Sequence, residues 1–181
     1  MKIGIIGSGD VGRRLADGLL DLGHQVKIGT RDTSKKEVVE WIDKHRKKGG
    51  KESENASIGS FVEAASFGDD LIILSTSWSG TSNAIEMAGP SNMSGKVIID
   101  TINPLDFSQG LPPRMAVGHT DSAAEINQRL LPGAKVVKAF NIVGNPHMVH
   151  PDFPCGPLAM LWILHYFRMN NGNHAFKLLR K

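Results

Sequence analysis

Several things are scarce in this sequence, and each scarcity excludes something. There is one cysteine, Cys155, so no intrachain disulfide can form and a reducing compartment is expected. Long apolar runs are missing: the longest, PLAMLWIL at 157–164, is too short to span a bilayer. Strand-like residues begin at Lys2, which leaves no room for a secretory leader, so a cytoplasmic protein is expected. A strong excess of one charge is missing too. The formal net charge is +3, too mild to imply nucleic acid, although a mildly basic surface suits an anionic ligand. The one dense charge run, KHRKKGGKESE (44–54), has no interleaved aromatics and reads as a solvated helix end. There is no internal repeat and no low-complexity segment.

What is present is an alternation. A chain of 181 residues suits a single domain with one sizeable core. KIGII (2–6) reads as a buried strand, and Leu15, Leu19, Leu20 and Leu22 as a helical stripe ended by Gly23. QVKIGT (25–30) is a second strand. Ser34 and Glu37 have capping-box spacing before VVEWI. NASI (55–58) is a weak strand, SFVEAAS a short helix, LIILST (71–76) a strong strand, and a helix covers roughly 80–88. KVIID (96–100) is a strand closed by Asn103 and Pro104. Ser122 and Glu125 cap a helix reaching Leu131, KVVKAF (135–140) is the next strand, and a final helix runs from about 157 to 169. Strands alternating with helices predict a Rossmann-type, doubly wound parallel α/β sheet. DFSQGLPPR (106–114) follows a strand's carboxyl end, where ligands of α/β sheets bind, and is open to two readings, a binding loop or a plain connection.

The first strand leads into GSGDVG. Gly7, Gly9 and Gly12 fit G-x-G-x-x-G, between a hydrophobic strand and a helix, as a dinucleotide site requires. Gly7 permits the tight turn, Gly9 lets a pyrophosphate approach the backbone, and Gly12 lets the helix pack on the strand. Helix N-terminal amides then meet the phosphates. The second strand selects the nucleotide. An NAD site ends it with Asp or Glu for the ribose hydroxyls. Here it ends GTRDTSKK: Gly29 or Thr30 takes the acid's place, and Arg31 follows. Arg31 can hold a 2′-phosphate with a planar fork, Thr30 offers a hydroxyl, and Lys35 or Lys36 adds charge. Asp32 is read as a turn or helix-cap acid. NADP(H) is therefore expected over NAD(H).

GSGDVGRRLADGLLDLGHQVKIGTRD, LPGAKVVKAFNIVG and GPLAMLWILHYF…NHAFKLL together resemble the deazaflavin-dependent NADP reductase family. The flavin-linked NADPH domains of membrane ferric reductases are similar at the start. The resemblance implies an NADP-binding Rossmann domain that exchanges hydride with a flavin or deazaflavin. It implies cofactor binding by Ser8, Gly9, Asp10, Val11, Thr30 and Arg31. It sets the turn Ser75, Thr76, Ser77 over the ribose and nicotinamide, and Asn103 and Asn141 at strand ends facing the nicotinamide. Relatives carry a further strand, helix and strand between the regions matching PDFP and GPLAMLW. Here Phe153 and Pro154 run directly into Cys155 and Gly156. The last βαβ unit, roughly 30 residues, is therefore expected to be missing.

The chemistry needs little else. Reduction of a carbonyl requires a positioned proton donor, and relatives of the hydroxyacid type carry one on a large helical second domain. The 40 residues after Asn141 are too few for such a domain. An acceptor that is itself a redox ring needs stacking and a dry cleft, and no catalytic side chain is expected. His147, His150 and Cys155 lie close in sequence but in a Pro-rich stretch, so no metal site is expected. His119 reads as a surface-loop histidine and Cys155 as an unactivated thiol. A non-catalytic NADP(H)-binding sensor is the competing reading. PLAMLWILHYF is apolar nearly all round and must be buried, within its own domain or in a homodimer with Leu161, Trp162 and His165 near the contact. The dimer is the expectation carried forward.

Overall fold

The computed structural model describes residues 1–49 and 54–150. Six strands form one parallel sheet: β1 (Lys2–Ile6), β2 (Gln25–Gly29), β3 (Ala56–Gly59), β4 (Leu71–Leu74), β5 (Val97–Asp100) and β8 (Lys135–Lys138), in the order β3-β2-β1-β4-β5-β8. Chain order reverses direction between β1 and β4, as in doubly wound dinucleotide folds, where ligands bind beyond the strands' carboxyl ends. β6 (Leu105–Asp106) and β7 (Arg114–Met115) pair separately as a short antiparallel ladder. The stretch DFSQGLPPR therefore forms most of a hairpin, a feature its turn residues did not distinguish from an open loop.

The two faces of the sheet follow from the two-residue period of a strand. Ile3 and Ile5 of β1 and Leu71 and Ile73 of β4 join α1 (Asp10–Asp21) and α2 (Lys36–Lys48) in one core. Ile6, Ile72 and Leu74 point the other way, toward α3 (Phe61–Phe67), α4 (Trp78–Ala88), α5 (Pro90–Met93) and α6 (Ala123–Leu130). α3 is short but firmly capped: Ser60 and Glu63 bond reciprocally in a capping box. It lies directly on the sheet. A Cβ on Gly4 would stand 2.1 Å from the Ala64 carbonyl oxygen, so only glycine permits this approach.

On the opposite face Asp17 ties α1 to α2. It accepts hydrogen bonds from Trp41 Nε1 at 2.6 Å, His45 Nε2 at 2.9 Å and Lys44 Nζ at 3.1 Å. Burial would raise its pKa, but the bonds from His45, Trp41 and Lys44 prevail and hold the carboxyl below its ordinary value. After β8 the chain returns to α1. Arg14 donates to the carbonyls of Pro146 and Val149, and Val149 rests in the gap left by Gly18.

Some sequence boundaries shift. Ser34 and Glu37 do not form a capping box. α2 begins at Lys36, with Lys35 at the N-cap and no side-chain cap bond. The Ser34 amide and hydroxyl are instead bonded to Asp32 Oδ1 at 2.9 and 2.6 Å, so a local turn uses the group the helix needed. α4 starts at Trp78, two residues before the expected Gly80. The expected 157–169 helix, the missing βαβ unit, Cys155 and the dimer contact at Leu161, Trp162 and His165 lie outside the described residues.

Candidate functional site

β1 ends at Ile6, and the glycine loop turns into α1 at once. Gly7 has φ 121°, a conformation open to glycine, and a Cβ there would stand 2.6 Å from the Ser75 carbonyl oxygen. A Cβ on Gly12 would meet the Gly7 carbonyl oxygen at 2.3 Å. Gly9 is different. Its φ of −70° suits any residue, and a Cβ there would meet nothing within 4 Å. Gly7 and Gly12 answer to the protein's own packing; Gly9 leaves open space at the N-terminus of a twelve-residue helix. That space fits a pyrophosphate, which the helix dipole and the unpaired first-turn amides favour.

Side chains brace this loop. Arg13 donates to the Ser8 carbonyl at 2.7 Å and to Asp10 Oδ1 at 2.5 Å. The Ser8 hydroxyl donates to Thr30 Oγ1 at 3.1 Å and so joins the loop to the end of β2. The buried Ser75 hydroxyl is directed at the Gly7 and Ile6 carbonyls beneath the loop. Val11 packs against the core shared by α1 and α2. Of the sequence-selected loop residues, Ser8, Asp10, Val11 and Ser75 thus have internal partners.

The end of β2 carries the nucleotide-selecting residues. Thr30 is buried and its hydroxyl also bonds the Asp32 carbonyl. Asp32 accepts the Ser34 hydroxyl and amide on Oδ1, and these bonds hold its carboxyl below the ordinary value. Arg31 is exposed, and no hydrogen bond or ion pair of its side chain is found among the described residues. Lys35 stands nearby in sequence with its Nζ 3.9 Å from Glu37. The local arrangement is thus a free guanidinium, with the neighbouring acid turned into its own loop. It suits a 2′-phosphate better than a ribose diol.

Three inter-strand steps of roughly 4.8 Å carry the site about 14 Å from β1 across β4 and β5 to β8. At the β4 end, the Thr76 hydroxyl donates to Thr81, which donates to the Ser77 carbonyl. Ser77 is exposed at the N-cap of α4 with no side-chain cap bond. At the next strand ends Asn103 Nδ2 donates to the Asn141 carbonyl at 2.8 Å. The resemblance placed both asparagines on the nicotinamide side, and the fold brings them together from 38 residues apart.

Asn103 and Asn141 open into a cavity of about 570 Å³ between the β6–β7 hairpin and α6. Pro104, Met115, Ala124 and Ile142 are among its apolar lining, with His119 and Lys138 among the polar residues. His119 and Phe140, both in its wall, have φ of 62° and 63°, an unfavourable backbone for non-glycine residues that recurs at functional sites. Lys138 was not singled out from the sequence. Nζ donates to Asp100 Oδ1 at 3.2 Å and to the Ile102 carbonyl. Asp100, wholly buried, also accepts from the Ile102 amide and Asn127 Nδ2. Burial pushes the Lys138 ammonium below its ordinary pKa, and Asp100 opposes that shift. The signal was available: a lysine inside the apolar strand VVKAF must find a partner, and the neighbouring strand ends in Asp100.

Residues 2–104 match the family model of coenzyme F420-dependent NADP oxidoreductases. A crystal structure from Arthrobacter sp. FB24, named as an F420-dependent NADP-reductase, is 38% identical with a TM-score of 0.74. That match covers 83% of this chain and 67% of the other. Metalloreductase STEAP3 of Rattus norvegicus is 28% identical over 142 residues, 78% of this chain. The chain spans about a quarter of that relative's length, 25%. An imine reductase from Streptomyces aurantiacus shares the fold at 18% identity and a TM-score of 0.55, over 81% of this chain and 43% of that one. The family model covers more than half of the sequence, and this chain belongs to the coenzyme F420-dependent NADP oxidoreductases, with NADP(H) as its dinucleotide.

Proposed function

We propose that this protein is an NADPH-dependent oxidoreductase that exchanges hydride with a flavin or deazaflavin acceptor. The observation that carries the reading is the open space above Gly9 beside the unpaired Arg31. In this reading Gly7, Ser8, Gly9, Asp10, Val11 and Gly12 form the pyrophosphate cradle. Thr30, Arg31 and Lys35 surround the 2′-phosphate. Ser75, Thr76 and Ser77 border the ribose, and Asn103 and Asn141 hold the carboxamide side of the nicotinamide. Bound NADPH supplies a hydride from its nicotinamide ring. The protein's contribution is position and exclusion of water, with no acid or base required at the reacting carbon. A homodimer and a cytoplasmic location belong to the same proposal.

The test is a panel of acceptors with NADPH: riboflavin, FMN, 5-deazariboflavin, a quinone and a ferric chelate. The expected result is acceptor-dependent NADPH oxidation that is fastest with a tricyclic ring. NADPH binding with no turnover on any acceptor would overturn it in favour of a binding module.

A further inference from the structure

The loop after β2 carries an acid, Asp32, next to the arginine that suits a 2′-phosphate. An NAD site places a carboxylate near this point to bind the ribose hydroxyls. A carboxylate free to turn here would do two things. It would accept from the ribose diol of NADH, and it would compete with a 2′-phosphate for the guanidinium of Arg31. Neither suits a protein whose dinucleotide is NADP(H).

The loop's own bonds remove the conflict. Thr30 is buried, and its amide donates to the Gly59 carbonyl at 3.0 Å, which ties this strand end to β3. The Thr30 hydroxyl donates to the Asp32 carbonyl at 3.2 Å and accepts from the Asp32 amide at 3.3 Å, so the backbone of Asp32 is held at the same point. Its side chain is held by Ser34, which donates to Oδ1 through the hydroxyl at 2.6 Å and the amide at 2.9 Å. The Ser34 hydroxyl and amide are also the main reason that the carboxyl stays below its ordinary pKa, with a smaller contribution from the charge of Lys35. Among the described residues no ion pair joins Asp32 to Arg31, although the two are adjacent. Ser34 is exposed and does not cap a helix, since α2 begins at Lys36 with Lys35 at its N-cap. What its hydroxyl fixes is the direction of one carboxylate.

We infer that Ser34 is a specificity-determining residue: it turns the Asp32 carboxylate onto its own loop, which leaves Arg31 to the 2′-phosphate and leaves the ribose without an acid. The inference rests on the placement of Thr30, Arg31 and Lys35 around the 2′-phosphate proposed above, and adds the residue that sets the choice of nucleotide. Ser34 acts through Asp32 and is a positioning residue. Specificity is a difference of two affinities, and this device works on both. It removes a competitor for the phosphate's partner and a partner for the diol.

The test is the ratio of NADPH to NADH affinity. NADPH binding is read by fluorescence of the bound nicotinamide, and NADH binding by displacement of NADPH. Ser34→Ala should weaken NADPH roughly 3–10-fold, the effect of losing one net hydrogen bond, and should not weaken NADH. The ratio then falls at least about threefold. Asp32→Asn alone should leave NADPH affinity within about twofold, because an exposed charge that faces away is screened. In the Asp32→Asn background Ser34→Ala should no longer move the ratio, since no charge is left to steer. Ser34→Thr keeps a hydroxyl and should restore the wild-type preference. A smaller fall in the ratio for Ser34→Ala, or an equal fall in the Asp32→Asn background, would overturn the inference; the second result is what a merely structural serine gives. Arg31→Ala separates this inference from the reading beneath it. If Arg31→Ala leaves NADPH affinity unchanged, the 2′-phosphate lies elsewhere and both fall. If Arg31→Ala weakens NADPH alone while Ser34→Ala leaves the ratio unchanged, the phosphate site stands and the role of Ser34 falls.

Discussion

The two ends of the cleft are built by different means. At the β1–β2 end the shape comes from what is missing: Gly7, Gly9 and Gly12 remove side chains so that backbone can turn, approach and pack. At the β5–β8 end the shape comes from what is added. Asp100, Lys138, Asn127, Asn103 and Asn141 hold one another across 27 to 38 residues of sequence. The first end follows from local chemistry. The second depends on several strands being in register before any of its bonds can form. Substitutions should therefore damage stability most at the second end and nucleotide binding most at the first.

The largest effect should come from the polar node. Asp100→Asn leaves the largely buried Lys138 ammonium without its countercharge. Breaking such a pair costs about 3–5 kcal/mol. A shift in the denaturant midpoint smaller than that of a surface control would show that this end is not held by the pair.

The glycine loop offers a sharper comparison within one motif. Gly12→Ala should lose about 1–3 kcal/mol, because its Cβ would meet the Gly7 carbonyl oxygen at 2.3 Å. Gly9→Ala should melt like the wild type, because its Cβ meets no protein atom within 4 Å. It should nonetheless lose NADPH binding, since the methyl group enters the phosphate's space. Thermal melts with and without NADPH separate the two. Equal melting losses for both variants would contradict the division of roles.

Next in size is nucleotide choice. If Arg31 holds the 2′-phosphate as proposed, Arg31→Ala removes a charge-assisted bidentate contact worth ~1.5–3 kcal/mol, and NADPH affinity should fall roughly 10–150-fold. NADH affinity should hardly change. Titration calorimetry giving equal losses for both nucleotides would remove the arginine from the 2′-phosphate.

The smallest effect concerns the face remote from chemistry. The Asp17 carboxyl is held below its ordinary pKa in the folded protein by its bonds to His45, Trp41 and Lys44, against the opposing effect of burial. A depressed folded value means that the stabilisation is fully present above the unfolded value, near 3.9, and is lost as pH falls below it. Asp17→Asn should cost about 1 kcal/mol at neutral pH, and the gap to wild type should narrow progressively as pH falls below the unfolded value. A gap that does not narrow on acidification would mean that packing, and not the carboxylate, joins α1 to α2.

These contrasts also explain what could be read from the chain. Buried parallel strands are continuous apolar runs, so KIGII and LIILST were recognisable on sight. The glycine motif was legible because each position answers a backbone demand that only glycine meets or that a ligand imposes. Arg31 was legible because it directly follows the end of the second strand, where an NAD site carries its acid. The capping box at Ser34 and Glu37 failed for a local reason. Asp32, two residues earlier, competes for the same serine, and spacing alone does not rank two short-range partners. The hairpin of β6 and β7 has only two ladder pairs, Leu105–Met115 and Asp106–Arg114, with one further bond from the Ala116 amide to the Pro104 carbonyl, too short for a periodic signal.

By itself, then, the sequence determined the doubly wound α/β class, the dinucleotide loop and the preference for a 2′-phosphate. All three rest on hydrophobic period, glycine chemistry and charge within a few residues. Tertiary structure alone decided that Ser75 supports the glycine loop from beneath, that Asn103 meets Asn141, and that Lys138 pairs with Asp100. Those facts depend on which strand ends become neighbours. In a parallel sheet that is settled by crossover connections through space, and residues far apart in the chain become partners only after the sheet order is set.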